Sequence, residues 1–499
     1  MSMLPRRFGI RLVATIASTA IVSGALLTGA PAAHAAPATP ALRSAATEKQ
    51  CAMTKTAEYQ RATPAEVGLD PVLVQRALAL FTLNGAETVK VFRHGCLVGE
   101  GALDAAFNRV PRLNWSQTKT VASLIAGVAV RKGLIDVDDP IGKYLPAGMG
   151  DAAHRAVTIR QVLNMTTGFR MNWVRGLNLV GDISRAREAM AAEMVHKPGT
   201  YYEYDQTTPS LLTYVVQRAI WQQIDPKLDY QDWAQKHFFN KLGIPLSAWF
   251  WMRDRSGNSF GYSKLFLRPL EFGRLGELML NKGVYDGVRI IDERYMNQLQ
   301  RGSRANCAYG YMVWLNSCQP GQKQVNGSIF ARREFDPARP LIASAPRDMY
   351  YTWGYHGQHT FVIPSLDMIV TRSGELPPDT VEKLLGLDPD AAIAGEQGQT
   401  YYKFFRHLMN SVQTMPAGVD IAEPRGSYDD PTALNFDADS FIYPIDTAAG
   451  SYLGIGPSAP VGCTLLGCVD EPNDGTTATI HSVPRVIPGI LGNESRPNG

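Results

Sequence analysis

The sequence lacks an excess of charge of either sign, and it has no basic cluster beyond its N-terminal segment. Its 49 lysines and arginines stand against 46 acidic residues, which leaves a net charge of +3 on 499 residues. Proteins that bind nucleic acid ordinarily carry a basic patch or stripe. Nucleic acid is therefore not an expected partner.

An uninterrupted apolar run of membrane-spanning length is also missing. Residues 12–27 are mainly apolar and follow three arginines, but serine, threonine and glycine interrupt them, and a bilayer span needs about 20 apolar residues. A transmembrane anchor is the alternative to a signal peptide. The small-residue triplet Ala33-His34-Ala35 favours a signal peptide over residues 1–35. The sequence thus predicts a secreted protein, extracellular or cell-wall associated, with no membrane span after cleavage.

Cysteine is scarce, and none of the six residues has C-x-x-C spacing. No histidine lies beside them in a metal-ligand pattern, so no metal site is predicted, and no cofactor is expected. In an exported protein the cysteines are first interpreted as disulfide partners, although six allow many pairings. Short loops favour Cys307 with Cys318 and Cys463 with Cys468, which leaves Cys51 for Cys96.

Periodicity divides the mature chain into three parts. Residues 36–56 are rich in Ala, Pro and Thr and are interpreted as a linker. Residues 57–417 carry the patterns of a folded domain, in which helical patterns dominate from about 140 to 300. Residues 418–499 are Pro/Gly-rich and are interpreted as an irregular appendage.

Strand patterns occur at both ends of this domain and helical patterns in its middle. Strands are predicted over residues 89–92, 97–98, 310–315, 349–353, 359–363 and 368–372. Helices are predicted over residues 71–83, 115–132, 159–165, 183–194, 208–224, 230–241, 270–281 and 401–409. The helix over residues 115–132 is apolar on nearly every side, so it must be buried. Asn114 is its predicted N-cap, with Gln117 close to completing a capping box.

The first turn of that helix contains the one S-x-x-K motif of the chain, from Ser116 to Lys119. Residues three apart share a helix face, so the amine can reach the hydroxyl. Burial lowers the pKa of a lysine toward values at which it accepts a proton, and the helix N-terminus favours developing negative charge. The alternative is that Ser116 only supports the cap and Lys119 extends to water.

Several stretches accompany this motif at wide spacing: GLID at 133–136, YLP at 144–146, VTIRQVL at 157–163, PGT at 198–200 and GVYDG at 283–287. With Ser116 and Lys119 they make residues 62–409 resemble the serine β-lactamase and penicillin-binding-protein superfamily. The resemblance is strongest to its class C-like branch, which includes family VIII carboxylesterases and 6-aminohexanoate-dimer hydrolases. It implies an α/β (α+β) fold, an antiparallel sheet flanked by helices, with a mainly helical insertion at about 140–300.

The resemblance also implies roles for further residues. Tyr204 matches the tyrosine of the family's Tyr-x-Asn element, and Gln206 replaces its asparagine. The general base is left open between Lys119 and Tyr204. The family's Lys-Thr-Gly strand corresponds to Thr352-Trp353-Gly354, which keeps the glycine and loses the cation.

Expectations about substrate recognition follow from this matched strand and from Trp173, which lies just beyond Thr167-Gly168. The amide of Tyr355 joins that of Ser116 in polarising the substrate carbonyl, and Gly354 lets the substrate approach the backbone. Trp353, without a charge, weakens recognition of a substrate carboxylate. Trp173 is expected to line the acyl pocket, with buried packing as the alternative.

A second serine lies in a nucleophile-like motif, G-N-S-F-G at 257–261, which spells the elbow of α/β-hydrolases. An elbow needs a strand directly before it and a helix directly after it. Charged residues flank Ser259 instead, so the motif is interpreted as a turn.

The sequence therefore predicts a secreted serine hydrolase that cleaves a small ester, amide or lactam through Ser116, Lys119 and Tyr204. Two alternatives remain: a D,D-peptidase or β-lactamase, and a non-catalytic protein that binds cell-wall peptide or a partner.

Overall fold

A computed structural model of the chain describes residues 47–56, 58–170, 184–318, 340–374 and 396–422, with side chains from Thr400 in the last range. It also gives the backbone of residues 463–464, 467–470 and 479–480. The predicted signal peptide, Trp173 and most of residues 418–499 lie outside the described residues. The fold is that of the unit that begins at Glu48.

The described elements alternate between strands and helices along the chain. The helices are α1 (Pro71–Leu83), α2 (Asp104–Phe107), α3 (Gln117–Arg131), α4 (Ala152–Arg155), α5 (Ile159–Leu163), α6 (Arg185–Ala191), α7 (Thr208–Gln223), α8 (Tyr230–His237), α9 (Phe272–Leu280), α10 (Glu293–Leu299) and α11 (Glu396–Ser411). The strands are β1 (Ala86–Arg93), β2 (Cys96–Glu100), β3 (Arg112–Leu113), β4 (Trp249–Trp251), β5 (Leu265–Leu267), β6 (Val284–Tyr285), β7 (Val288–Arg289), β8 (Trp314–Leu315), β9 (Tyr350–Tyr351), β10 (His359–Ile363), β11 (Met368–Gly374), β12 (Cys463–Thr464), β13 (Gly467–Asp470) and β14 (Thr479–Ile480).

The main sheet has six strands in the order β2-β1-β11-β10-β9-β8, and every neighbouring pair is antiparallel. Strands β1 and β2 join through a tight turn in which His94 and Gly95 both have positive φ, 53° and 70°, as the favoured two-residue hairpin turn requires. Because β1 pairs with β11, the two ends of the domain meet in the middle of the sheet. The predicted antiparallel sheet is confirmed.

Helices cover both faces of this sheet. Side chains alternate between the two faces along each strand, so both faces present side chains to pack against. Phe361 of β10 packs against Tyr401 and Phe405 of α11, which lies beside α1. On the opposite face α9 packs so closely that a Cβ at Gly276 would lie 2.6 Å from Ile369 of β11 and 3.1 Å from Thr360 of β10. The predicted helix-flanked fold is thus confirmed.

Helix α3 is buried along nearly its whole length, from Gln117 to Ala129. Its polar side chains are satisfied by the backbone just before β8: Thr120 donates to the carbonyl of Met312 and Ser123 to that of Tyr311. These bonds fix the helix that carries the S-x-x-K motif against the edge of the sheet.

The predicted cap of α3 at Asn114 is wrong. The helix begins after Ser116, whose backbone is already helical, and Trp115 before it has a positive φ of 47°. A capping side chain needs an extended backbone at the residue before the helix. Here the turn formed by Trp115 and Ser116 stands in that place. The side-chain atoms of Asn114 are buried without a hydrogen-bond partner among the described residues.

Two predicted strands are shorter than expected. Residues 310–315 yield only β8, because Met312 has a positive φ of 58° and Gly310 closes a turn onto the carbonyl of Val313. Residues 349–353 yield only β9, which has two residues. The edge of the sheet next to α3 is therefore made largely of turns.

Disulfides confirm two of the predicted pairings, Cys51 with Cys96 and Cys307 with Cys318. The Cys51–Cys96 disulfide joins the chain before α1 to strand β2. The amide of Cys51 also donates a hydrogen bond to the carbonyl oxygen of His94. For the third pair, the backbone of β12 and β13 sets Cys463 opposite Cys468, while their side chains lie outside the described residues.

Within the described ranges, no helix has both the length and the apolar character needed to cross a membrane.

Candidate active site

Ser116 and Lys119 meet at the start of α3, as the motif predicts. Lys119 Nζ lies 3.0 Å from Ser116 Oγ, within hydrogen-bonding distance. Ser116 lies in the turn where backbone amides lack intrahelical partners, which suits a hydroxyl that becomes negatively charged. The structure contradicts the alternative in which Lys119 extends to water, because its side chain is 1% exposed.

The other bonds of Lys119 determine where its lone pair points. Nζ donates to Gln206 Oε1 at 2.7 Å and to the carbonyl oxygen of Tyr262 at 3.2 Å. A neutral amine has two N–H donors, and these two acceptors take both. The lone pair is then directed at the remaining neighbour, the hydroxyl of Ser116.

Burial gives Lys119 the proton affinity of a base near neutrality. Removal from water penalises the ammonium and lowers the pKa of Lys119 to about 7, while the negative charge of Asp205 acts in the opposite direction. Near neutral pH a large share of the protein therefore has an uncharged amine beside Ser116.

Tyr204 lies on the other side of the nucleophile. Its side chain hydrogen-bonds with that of Ser116, which lowers its pKa, but burial is the larger effect and raises that pKa. Its ring centroid is 4.7 Å from Lys119 Nζ, a cation–π distance. A tyrosine held neutral in this way can donate a proton and pass it on. The structure thus brings Ser116, Lys119, Tyr204 and Gln206 together, as predicted.

The neighbouring tyrosines have other environments. Tyr202 is fully buried, packs against Tyr309 and leaves its hydroxyl without a hydrogen-bond partner among the described residues. Tyr201 stacks on His196 with ring centroids 3.8 Å apart.

Asp205 accepts hydrogen bonds at the start of α7. Its Oδ1 accepts from the amides of Thr207 and Thr208, each at 2.6 Å, and from Thr207 Oγ1 at 3.1 Å, while Oδ2 accepts from Thr208 Oγ1. This acceptor role of Asp205 was not predicted from the sequence, although Pro209 within the first helical turn signals a helix start here. The bonds anchor the segment that carries Tyr204 and Gln206.

The edge of the site is a turn that follows β9. Gly354 bridges to Gln358, and a Cβ on Gly354 would lie 2.4 Å from the carbonyl oxygen of Asn114. A glycine is thus required for this turn to approach the chain just before the nucleophile. Tyr355 comes next, with its ring edge-on to Trp115 at 5.3 Å. The predicted strand at Thr352–Gly354 is therefore replaced by a turn that still places Tyr355 beside the start of α3.

Arg372 of β11 stabilises this turn through hydrogen bonds to its backbone. Its buried guanidinium donates to the carbonyl oxygens of His356 at 3.1 Å and Gly357 at 2.8 Å, and also to that of Asn84 at 3.0 Å. His356 has a positive φ of 59°, a conformation that needs such support. The signal available in the sequence was an arginine shortly after the apolar run Met368–Val370.

Aromatic rings extend from Tyr204 along the sheet edge. Tyr204 lies 5.6 Å from Trp314, which lies 5.9 Å from the partly buried Trp353. Trp353 occupies the position where the resembling family has a cation. Trp173, the other predicted pocket residue, lies outside the described residues.

Ser259 lies in the long connection between β4 and β5 and is 1% exposed. Its hydroxyl accepts from Gln231 Nε2 at 2.9 Å, and its carbonyl oxygen accepts from Thr213 at 2.7 Å. The strand and helix that an elbow needs do not flank it. The interpretation as a turn is confirmed. Within the described ranges, His, Cys, Asp and Glu side chains form no group of three that could hold a metal ion.

Residues 113–251 match the Beta-lactamase family model. A Bacillus anthracis protein described as a 6-aminohexanoate-dimer hydrolase has a similar structure, with a TM-score of 0.51 and 12% identity over 72% of this chain and 90% of that chain. A family VIII carboxylesterase gives a TM-score of 0.47 at 16% identity, over 68% and 97%. A penicillin-binding-protein homologue from Caulobacter crescentus gives 0.46 at 14%, over 69% and 99%. No protein of curated function matches this chain in sequence.

The matched residues include Ser116, Lys119 and Tyr204, and the β-lactamase-like fold surrounds them. Residues 113–251 thus carry a Beta-lactamase family match within a β-lactamase-like fold.

Proposed function

We propose that the protein is a secreted hydrolase that cleaves an uncharged ester or amide through an acyl-enzyme on Ser116. The observation that carries this proposal is the buried amine of Lys119, 3.0 Å from the Ser116 hydroxyl and with its other N–H donors committed elsewhere. Such a pair is an activated nucleophile.

The reaction begins when neutral Lys119 accepts the proton of Ser116 Oγ while the oxygen attacks the substrate carbonyl. Lys119 rather than Tyr204 is the base in this proposal, because the pKa of Lys119 is lowered and that of Tyr204 is raised. The proton then passes through the Tyr204 hydroxyl to the leaving alcohol or amine as its bond to the carbonyl carbon breaks. Water attacks the acyl-enzyme in a second step, giving the carboxylic acid and returning Ser116.

The oxyanion is stabilised by backbone amides in this proposal. Those of Ser116 and Tyr355 are the candidates, because the Gly354 turn lies against the chain that enters α3. Donors fixed in advance of the reaction stabilise the developing charge without reorganisation cost.

The neutral substrate follows from Trp353. A carboxylate on the substrate needs a nearby cation when water is excluded, and Trp353 with Trp314 offers an aromatic surface instead. Such a surface favours apolar or planar groups.

A panel of p-nitrophenyl esters, anilides and penicillins tests this proposal on the wild-type protein, with Ser116→Ala as the blank. We expect turnover of neutral esters or amides that Ser116→Ala abolishes. Trp353→Lys should shift the preference toward substrates that carry a carboxylate. Stronger turnover of penicillins or D-Ala-D-Ala peptides than of any neutral substrate would instead assign a β-lactamase or D,D-peptidase. Inertness toward the whole panel would favour a binding protein.

A further inference from the structure

We propose that Asp205 is a positioning residue that holds Tyr204 and Gln206 on either side of the nucleophile and contributes a negative charge to the surroundings of Lys119. This inference rests on the proposed hydrolytic function. Asp205 itself touches neither Ser116 Oγ nor the proposed substrate site in the contacts described above, so its effect is exerted through its two sequence neighbours and its charge.

The hydrogen bonds of Asp205 suit a carboxylate that only accepts. Its side chain is 4% exposed, and both oxygens accept from N–H and O–H donors at the start of α7. An ionised carboxylate has only acceptors, which suits four incoming donors. The N-terminus of a sixteen-residue helix adds a favourable dipole for this charge.

The position of Asp205 connects that anion to the reacting groups. The residue before it hydrogen-bonds with Ser116, and the residue after it accepts from Lys119 Nζ at 2.7 Å. Fixing Asp205 to α7 therefore fixes the backbone from which both contacts are made. Tyr204 and Gln206 themselves precede the helix.

Several titratable groups face Lys119 and Asp205. The rings of Tyr204 and Tyr262 lie 4.7 Å and 5.6 Å from Lys119 Nζ, and the guanidinium of Arg185 in α6 lies 5.4 Å from the Tyr262 ring. The phenols of Tyr202, Tyr204 and Tyr309 interact with the Asp205 charge. These neighbours are neutral or cationic, so Asp205 provides the negative charge that offsets the burial of the Lys119 ammonium.

The proposal predicts a direction for pH dependence. Removing the anion destabilises the ammonium of Lys119 further, so the amine loses its proton at lower pH. A purely structural role for Asp205 would lower the rate at every pH and leave the midpoint of the acidic limb unchanged.

The experiment measures how fast a fluorophosphonate modifies Ser116 between pH 4 and 9, with the labelled peptide identified by mass spectrometry. Asp205→Asn removes the charge but keeps a favoured cap residue, and Asp205→Ser gives a second neutral cap. Thr208→Val is the matched control, because it removes one hydrogen bond to Asp205 and keeps the charge. We expect both Asp205 variants to move the midpoint of the acidic limb down by roughly one pH unit, and Thr208→Val to leave it in place.

The outcomes separate the two proposals. Asp205 variants with reduced labelling but an unmoved midpoint, or one moved to higher pH, would overturn the role of Asp205 and leave the hydrolase intact. A wild-type protein that is never labelled on Ser116, or is labelled elsewhere, would overturn the hydrolase itself and the inference with it.

Discussion

Two serines in this chain occupy motifs that spell a nucleophile, and one of them, the partly buried Ser116, has the surroundings of a nucleophile. Ser116 lies at a helix N-terminus, 3.0 Å from an amine whose pKa is about 7. Ser259 lies in the connection between β4 and β5, just after a turn, and accepts a hydrogen bond from the amide of Gln231. An amide is not a base at any ordinary pH, so among the described residues the Ser259 hydroxyl bonds to no group that could take its proton.

The difference lies in the second residue of the motif and in its burial. In the proposed mechanism Ser116 is activated because Lys119 shares its helix face and is removed from water. The spacing within G-N-S-F-G places no basic side chain beside Ser259, because this motif does not lie on a helix face. Each prediction below changes one side of this contrast.

The largest expected effect is the loss of the nucleophile. Ser116→Ala should lower kcat for the best ester or amide by at least about 10³-fold, because attack by water in the same site keeps only the binding and oxyanion contributions. Steady-state kinetics on the purified variant measure this loss.

Ser259→Ala is the matched control for that experiment, since it removes the hydroxyl of the other serine that lies in a nucleophile-like motif. It should keep activity within about twofold of wild type, a small change for a residue outside the chemistry. Equal losses in both variants would erase the distinction between the two motifs.

Loss of the base should come next. Lys119→Met keeps a long unbranched chain of similar volume and removes the amine, and kcat should fall by about 10³-fold with little change in KM. Lys132→Met, at the exposed end of the same helix, provides the control. An unchanged kcat in Lys119→Met would remove the amine from the mechanism.

Tyr204→Phe should have a smaller effect, about 10²-fold on kcat, because it keeps the ring beside Lys119 and removes only the proton-carrying hydroxyl. The loss should be greater for amides than for activated esters, whose leaving groups need less protonation. Tyr202→Phe is the control, since the Tyr202 hydroxyl has no hydrogen-bond partner among the described residues. A Tyr202 variant as impaired as the Tyr204 variant would contradict this assignment.

The pH dependence distinguishes the two candidate bases. Lys119 must be neutral to accept a proton, so kcat/KM should be full above its pKa of about 7 and fall as pH drops through that value. The decline should be about tenfold per pH unit below the midpoint. A profile measured from pH 5 to 11 tests this, and activity that rises only above pH 9 would point to Tyr204 as the base.

Sequence alone predicted most of the fold and the chemical core of the site. The S-x-x-K spacing, the apolar pattern of α3 and the resemblance placed Ser116, Lys119, Tyr204 and Gln206 together, because helical geometry translates spacing into contact. The antiparallel sheet was implied by the resemblance, and strand patterns at the two ends of the domain indicated its strands.

The turn at Gly354 and the start of α3 depend on contacts between distant residues, which sequence spacing does not predict. The turn at Gly354 is set by its approach to the Asn114 carbonyl and by the hydrogen bonds from Arg372, 18 residues away in sequence. The cap at Asn114 failed because Trp115 adopts a positive φ, for which an aromatic residue has no intrinsic preference. Positive-φ residues and long-range side-chain bonds are set by tertiary packing.

The smallest expected effect is on stability, and it completes the contrast between the two serines. Ser259→Ala removes the acceptor of the 2.9 Å bond from Gln231 Nε2, but that donor keeps its bond to the carbonyl oxygen of Trp251 at 2.8 Å. One N–H of Gln231 loses its acceptor, but this side chain is only partly buried, so the cost should be only about 1 kcal/mol, or roughly 1–2 °C in Tm. Differential scanning calorimetry measures the shift, with the exposed Ser247→Ala as the unshifted control. A loss of hydrolysis without a change in Tm would give Ser259 the functional role that its surroundings deny it.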